Sequence, residues 1–252
     1  MFSKQHLFNL DFIAANNFDT IIKDIIKNPT PTDAFPAVIT PNVDLTVHLN
    51  KNKNLLNSYK NARFILPDGF PIIIFSKLLN KPLKKRLAGS DLFPLIWKAS
   101  IQHNKKVLLI IPNHSIQKKL ESEYPTAMFY IPPFFEASAE NIGIESEKIY
   151  SLIFEQKPDF VFIGLRFPKQ ELIVINLHKK IKEASIEMPL FFNLGASFEF
   201  YTGSKKRAPQ WMQQTGLEWL HRFLSEPKRT FKRYFWDDLY IFILFIKEFF
   251  GK

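Results

Sequence analysis

Asp159-Phe160-Val161-Phe162-Ile163-Gly164-Leu165-Arg166-Phe167-Pro168-Lys169-Gln170-Glu171 changes its hydrophobic period part-way along. From Phe160 to Ile163 every residue is apolar, as in a strand covered on both faces, and beyond Pro168 the apolar residues fall at helical spacing. A strand that is apolar on both faces needs cover on each side, so the expected fold is α/β with a mostly parallel sheet and flanking helices. The reading gives a strand over Asp159–Gly164 and a helix over Pro168–Lys182, since Pro168 lacks only an amide that has no partner in a first helical turn.

Working outward, runs rich in Val, Ile and Phe recur along the chain. Strands are expected over Ala37–Thr40, Arg63–Leu66, Lys106–Ile111, Ala127–Tyr130 and Leu190–Asn193. Helices fill the gaps, among them Val43–Leu56, Asp91–Gln102 and Ser115–Tyr124, the last capped by Ser115. There is no internal repeat and no low-complexity linker. One composition shift, near residue 200, divides an α/β core (1–200) from a basic, aromatic-rich tail (201–252).

The chain has 252 residues, 46% of them hydrophobic, which is enough for one sizeable core and an appendage. A formal charge of +10 points to an anionic partner. The absence of cysteine excludes disulfides and thiolate metal sites and agrees with a reducing compartment. Met1 to Leu10 is polar and no long apolar run follows it, so export is not expected. Leu239 to Ile246 is apolar but falls short of the roughly 20 residues a spanning helix needs, so it can lie on a membrane without crossing it. In the tail, Lys205, Lys206, Arg207, Arg222, Lys228, Arg229, Lys232 and Arg233 are interleaved with Trp211, Trp219, Phe231, Tyr234, Phe235 and Trp236. That mixture suits an anionic membrane face or a lipid phosphate. It also suits a solvated charged face over core aromatics, or a nucleic acid held by phosphate contacts and stacking.

Ligands of open parallel sheets settle beyond the carboxyl ends of the strands, and four polar stretches fall there. Thr40-Pro41-Asn42 offers a hydroxyl and an amide, or simply a turn and a cap. Pro67-Asp68-Gly69 offers one carboxylate that can act as a general base, in a tripeptide that is equally a common turn. Downstream of it Arg86 presents a planar fork for phosphate, or belongs to an exposed charge run. Gly164 to Glu171 opens a helix whose free amides favour an anion, with Lys169 and Gln170 as added donors. Asn193-Leu194-Gly195-Ala196-Ser197 is small enough for a nucleotide to pack on backbone, or for two elements to pack on each other. The six histidines are scattered, and there is no Walker loop, G-x-G-x-x-G fingerprint or nucleophile elbow.

In order along the chain, these segments resemble the WecG/TagA/CpsF family of bacterial glycosyltransferases. The likeness rests on Thr40-Pro41-Asn42, Leu66 to Gly69, Arg86 to Gly89 with Asp91, Gly164 with Pro168 to Glu171, Lys206 to Pro209, Gly216 to Trp219, and Arg222, Glu226, Pro227, Arg229 and Arg233. It implies a Rossmann-like core with a C-terminal helical appendage that meets the membrane. It further implies inverting, metal-independent transfer of an N-acetylmannosamine-type or related hexose from a UDP-sugar to a polyprenyl diphosphate-linked sugar. By the same likeness Asp68 is the base, and Thr40, Asn42, Arg86 and Gln170 position substrate or phosphate. Lys169, Arg222, Arg229 and Arg233 then suit the charge of the diphosphates, and Gly164, Leu194 and Gly195 the nucleotide. No cofactor and no nucleic acid is expected, a homo-oligomer is compatible with this reading, and the place implied is the inner face of a bacterial membrane, peripherally from the cytoplasm.

The chain departs from the family pattern at Pro112-Asn113-His114, at Pro132-Pro133, at Arg166 and at Glu199, adding bulk or charge beside the expected nucleotide pocket. Donor choice is therefore open, and two other readings stand beside transfer: a basic nucleic-acid-binding protein, and an inactive relative that keeps the fold.

Overall fold

The computed structural model describes residues 2–29 and 34–251, without the side chains of Gln214, Arg229 and Phe235. A hairpin, β1 (Lys4–Leu7) and β2 (Leu10–Ile13), precedes α1 (Asp19–Lys27). Then follow β3 (Phe35–Ile39), α2 (Val43–Lys51), α3 (Lys53–Tyr59), β4 (Ala62–Ile65), α4 (Phe70–Leu78), α5 (Gly89–Gln102) and β5 (Val107–Ile110). The second half runs α6 (His114–Glu123), β6 (Met128–Tyr130), α7 (Ala139–Gln156), β7 (Phe160–Ile163), α8 (Lys169–Glu183), β8 (Leu190–Asn193) and α9 (Ser197–Thr202). The tail is helical: α10 (Gln210–Thr215), α11 (Glu218–Ser225), α12 (Pro227–Lys232), a π-helical turn (Arg233–Asp237) and α13 (Tyr240–Phe249).

Six strands form one parallel sheet in the order β4-β3-β8-β7-β5-β6. The expected Rossmann-like α/β fold with a C-terminal helical appendage is the fold found. Side chains alternate between two cores. Val38, Phe64, Leu109, Phe162 and Phe192 enter the core beneath α1, α5, α6 and α9. Ala37, Ile65, Ile110, Val161 and Phe191 enter the one shared with α2, α3, α7 and α8. On the first face Phe162 stacks on Phe192 at 4.6 Å and meets Phe93 edge-on at 5.8 Å. The register aligns Ile39 with Ile65 and Asn193, and Ile163 with Asn193, so the strands end together and their following loops share one edge.

Several expectations shift. The stretch 43–56 is two helices rather than one, because Asn52 leaves the helical conformation at the end of α2 and its carboxamide caps α3 through Asn54 N and Leu55 N. Asn113, not Ser115, caps α6, accepting from Ile116 N at 3.1 Å while Ser115 donates to the same oxygen. The polar start of the chain is structured: Leu7, Leu10 and Phe12 of the hairpin are buried. The Phe8 amide reaches Glu248 Oε2 in α13 at 3.2 Å, so the first and last elements meet.

Gly164 follows β7, and a Cβ there would stand 2.6 Å from the Phe198 ring. Its amide is taken by Ile110 O. Gly164→Ala should therefore lower stability by roughly 1–3 kcal/mol through overpacking, read as a lower denaturant midpoint with unchanged slope.

Candidate active site

Two clefts open at the carboxyl edge of the sheet, one of about 310 Å³ and one of about 500 Å³. The smaller is largely apolar, walled by Phe70, Pro71 and Phe75 of α4, Trp219 of α11, and Leu239 and Phe242 at α13. The larger is polar and runs over the ends of β3, β7 and β8. Asn42, Asp68, Glu218, Arg222 and Arg233 line both and form the wall between them.

Asp68 reaches that wall because β4 continues pairing to Leu66, whose amide bonds Ile39 O, and then turns away. Asp68 N donates to Pro41 O at 3.0 Å, and Gly69 takes the positive φ of 96° that starts α4. Pro67-Asp68-Gly69 is therefore a turn, and it carries Asp68 to the edge shared by the two clefts. Asp68 Oδ1 accepts from Arg86 Nε at 3.0 Å, which leaves Oδ2 without a hydrogen bond among the described residues. Arg86 also donates to Glu218 Oε2 at 2.8 Å, and Glu218 Oε1 accepts from Arg222 at 2.6 Å. Burial pushes the Glu218 carboxyl up, yet Arg222 and Arg86 outweigh it and hold the group below its ordinary value. Arg233 lies against Asp44 at 3.2 Å and Asp238 at 3.6 Å, and burial raises Asp238 to about 6.

On the polar side Thr40, Leu194 and Gly195 line the cleft as expected. Asn42 does too, with its Oδ1 spent on capping α2 at Leu45 N. Gln170 lines it and bridges two neighbours: its Oε1 accepts from Gly195 N at 3.1 Å and its Nε2 donates to Glu171 Oε1 at 2.8 Å. Two expected residues are elsewhere. Lys169 lines neither cleft, its ammonium lying over the Phe134 and Phe135 rings at 5.0 and 4.4 Å. Gly164 is a packing glycine against Phe198. The side chain of Arg229 lies outside the described residues.

Arg166 and Lys206 line the polar cleft, are exposed, and make no ion pair among the described residues. By contrast Lys205 is paired with Glu226, and Arg207 with Asp91 at 2.6 Å. The N-terminus of α5 also faces this cleft through Gly89 and Ser90. A Cβ on Gly89 would stand 2.9 Å from Thr40 Oγ1, so the glycine permits the approach. The sequence reading missed Glu218, Asp44 and Glu171 as site residues. The one local signal was spacing: Glu218 lies four residues before Arg222 on one helix face.

Residues 6–252 match the Glycosyl transferase WecG/TagA/CpsF family. The chain belongs to that family. It is thus a glycosyltransferase, as the order of its motifs implied. Its relatives include proteins named N-acetylglucosaminyldiphosphoundecaprenol N-acetyl-beta-D-mannosaminyltransferase. The one from Bacillus subtilis (strain 168) is 27% identical over 224 residues, covering 87% of this chain and 78% of the relative. The one from Staphylococcus aureus (strain MW2) is 29% identical over 212 residues, covering 82% and 78%. That of Bacillus spizizenii (strain ATCC 23059 / NRRL B-14472 / W23) is 29% identical over 195 residues, covering 76% and 72%.

Within this glycosyltransferase, burial raises the Glu171 carboxyl from its ordinary 4.5 to about 7, against the downward pull of the Gln170 amide. A carboxyl whose pKa rises on folding binds its proton more tightly in the folded state. Its contribution to stability is therefore whole below about pH 4.5 and is lost as pH rises through 7, a change on the order of 3 kcal/mol. Glu171→Gln removes the ionisation. The variant should gain in melting temperature over the parent between pH 5 and pH 8, and a difference that does not vary with pH would show that Glu171 carries no such penalty.

Proposed function

We propose that the enzyme transfers an N-acetylmannosamine-type or related hexose from a UDP-sugar to a polyprenyl diphosphate-linked sugar, with inversion and without a metal, in the synthesis of a cell-surface polysaccharide or teichoic acid. The observation that carries this reading is the position of Asp68 on the wall between a polar cleft with unpaired cations and an apolar cleft. The names of the relatives, which describe N-acetylmannosaminyl transfer to a diphosphoundecaprenol-linked acceptor, support the acceptor and the sugar of this reading.

In this scheme the UDP-sugar occupies the polar cleft with its diphosphate toward Arg166 and Lys206. The first isoprene units of the acceptor lie in the apolar cleft among Phe70, Phe75, Trp219 and Phe242. Arg222 and Arg233, which line both clefts, take the acceptor's diphosphate. Arg86 holds Asp68 Oδ1, so Oδ2 is the oxygen that removes the proton from the acceptor hydroxyl. That hydroxyl oxygen bonds to the anomeric carbon as the bond to UDP breaks on the opposite face, which inverts the centre. The charge that develops on the departing diphosphate is met by side-chain cations and by the amides at the start of α5.

The membrane assignment follows from the walls of the apolar cleft. Ile74 and Leu78 of α4 and Phe242, Ile243, Ile246 and Phe249 of α13 are exposed. Phe75 of α4 meets Phe242 at 5.8 Å and Phe245 at 5.1 Å, so the two exposed apolar helices are neighbours. A polyprenyl chain leaving the cleft passes directly onto this patch. Among the described residues no helix is long and apolar enough to cross a membrane. In this reading the protein sits peripherally on the inner face, with 201–252 as the appendage that closes the site there.

Asp68→Asn should fold as the parent does and lose about a hundred- to ten-thousand-fold in turnover, measured as product mass with a panel of UDP-sugars and a short-chain lipid diphosphate acceptor. Normal turnover in the folded variant removes the assigned base. Replacing both Ile74 and Ile246 with Glu should cut co-sedimentation with anionic vesicles several-fold and slow transfer to a long-chain acceptor in those vesicles, while transfer to a water-soluble short-chain acceptor persists. Unchanged sedimentation would refute the membrane face.

A further inference from the structure

Two buried acceptors at the floor of the polar cleft meet no donor among the described residues. Glu171 and Asn193 line the cleft at 1% and 3% exposure, and Glu171 Oε2 and Asn193 Oδ1 make no hydrogen bond to any described residue. Native interiors satisfy nearly all such groups, so two in one cleft call for a ligand.

Their orientations are fixed by relays. Tyr59 donates its hydroxyl hydrogen to Glu171 O at 3.1 Å, so its oxygen can only accept from Asn193, and Asn193 must turn Nδ2 toward it at 2.9 Å. The free end of Asn193 is therefore the carbonyl oxygen. On the other side the Gly195 amide holds Gln170 Oε1, so Gln170 Nε2 must donate to Glu171 Oε1, and the free end of Glu171 is Oε2. The Asn193 relay ends in an acceptor, and the Glu171 relay does so once its carboxyl is ionised, above about pH 7.

That chemistry selects the ligand. A phosphate at neutral pH has no hydrogen to give and carries the charge of a carboxylate, so it belongs at the rim with Arg166 and Lys206. A sugar ring is neutral and rich in O–H and N–H donors. The location agrees. Asn193 is in register with Ile39 on the adjacent strand, and two residues beyond Ile39 the Pro41 carbonyl holds the Asp68 amide. The floor thus lies on the same sheet edge as the wall where the anomeric carbon must lie, two strand spacings across, on the order of 10 Å.

We infer that Glu171 Oε2 and Asn193 Oδ1 accept hydrogen bonds from the hydroxyl or amide hydrogens of the transferred sugar, and that this pair decides which sugar the enzyme accepts. The inference rests on the placement of the UDP-sugar in the polar cleft. Gln170 and Tyr59 are positioning residues that aim the two acceptors. A pocket built to receive a hydrogen discriminates strongly against a ring that lacks it, because its own buried acceptor then stays unpaired.

Glu171→Gln tests this with one change of chemistry. Gln170 still requires an acceptor at the Oε1 position, so the new carboxamide must turn its NH2 to where Oε2 was, presenting a donor to a donor. Binding of UDP alone and of UDP-sugars is measured by calorimetry, and kcat/KM is measured across UDP-N-acetylmannosamine, UDP-N-acetylglucosamine and UDP-glucose. The expected result is UDP affinity within about twofold of the parent, a drop of about 10- to 100-fold in kcat/KM for the donor the parent prefers, and a compressed ratio between preferred and rejected donors. Asn193→Ala should weaken the same donors, and if it does not fold, Glu171→Gln decides alone. A folded Glu171→Gln protein with an unchanged donor ratio, or with UDP and UDP-sugars weakened equally, overturns the inference while leaving the cleft assignment intact. Failure of the parent to bind UDP overturns both.

Discussion

Arg86 stands between two carboxylates with only 12% of its side chain exposed, Asp68 from the core on one side and Glu218 from the tail on the other. A guanidinium so placed is costly to bury unless both partners are present, and the loss of either leaves a charge uncompensated. The two attractions outweigh the burial that disfavours its charge. The consequence is structural before it is chemical. The tail is docked where its own acid completes the core's ion pair, and in docking it raises the wall that divides a polar cleft from an apolar one.

Under the proposed function that single wall meets two requirements at once. A sugar nucleotide needs unpaired cations and amide donors, and a polyprenyl chain needs apolar side chains continuous with a membrane. The parallel sheet supplies the first at its carboxyl edge, where α5 begins and Gly195 turns. The tail supplies the second by laying α13 against α4, with Ile241 and Leu244 drawn into the core. Around the clefts Arg86, Lys205, Arg207, Arg222 and Arg233 all face carboxylates. The cations left open in the polar cleft are few and local.

Much of the fold was legible because its strands are apolar on both faces, a pattern that survives any detail of packing. The short hairpin was not, since four-residue strands with polar outer positions carry little period. The break at Asn52 was also hidden, because Asn is tolerated in a helix until its carboxamide finds free amides to cap. At the site, Asp68 and Gln170 were readable as polar residues after strands, and Arg86 as a phosphate fork downstream of Asp68. Lys169 shared that position in sequence, yet its ammonium rests on Phe134 and Phe135. Glu171 was overlooked because a glutamate in a first helical turn is ordinarily a solvated complement to the helix dipole.

By itself the sequence determined the α/β sheet, the sheet edge at which the clefts open, the family, and the basic, aromatic character of the tail. These follow from period and local composition, which each segment carries alone. Only the tertiary structure decided that Glu218 completes the Asp68–Arg86 pair, that two clefts share one wall, and that Glu171 and Asn193 end as unpaired acceptors. Burial and hydrogen-bond direction depend on which elements are brought face to face, and no single segment encodes its neighbour.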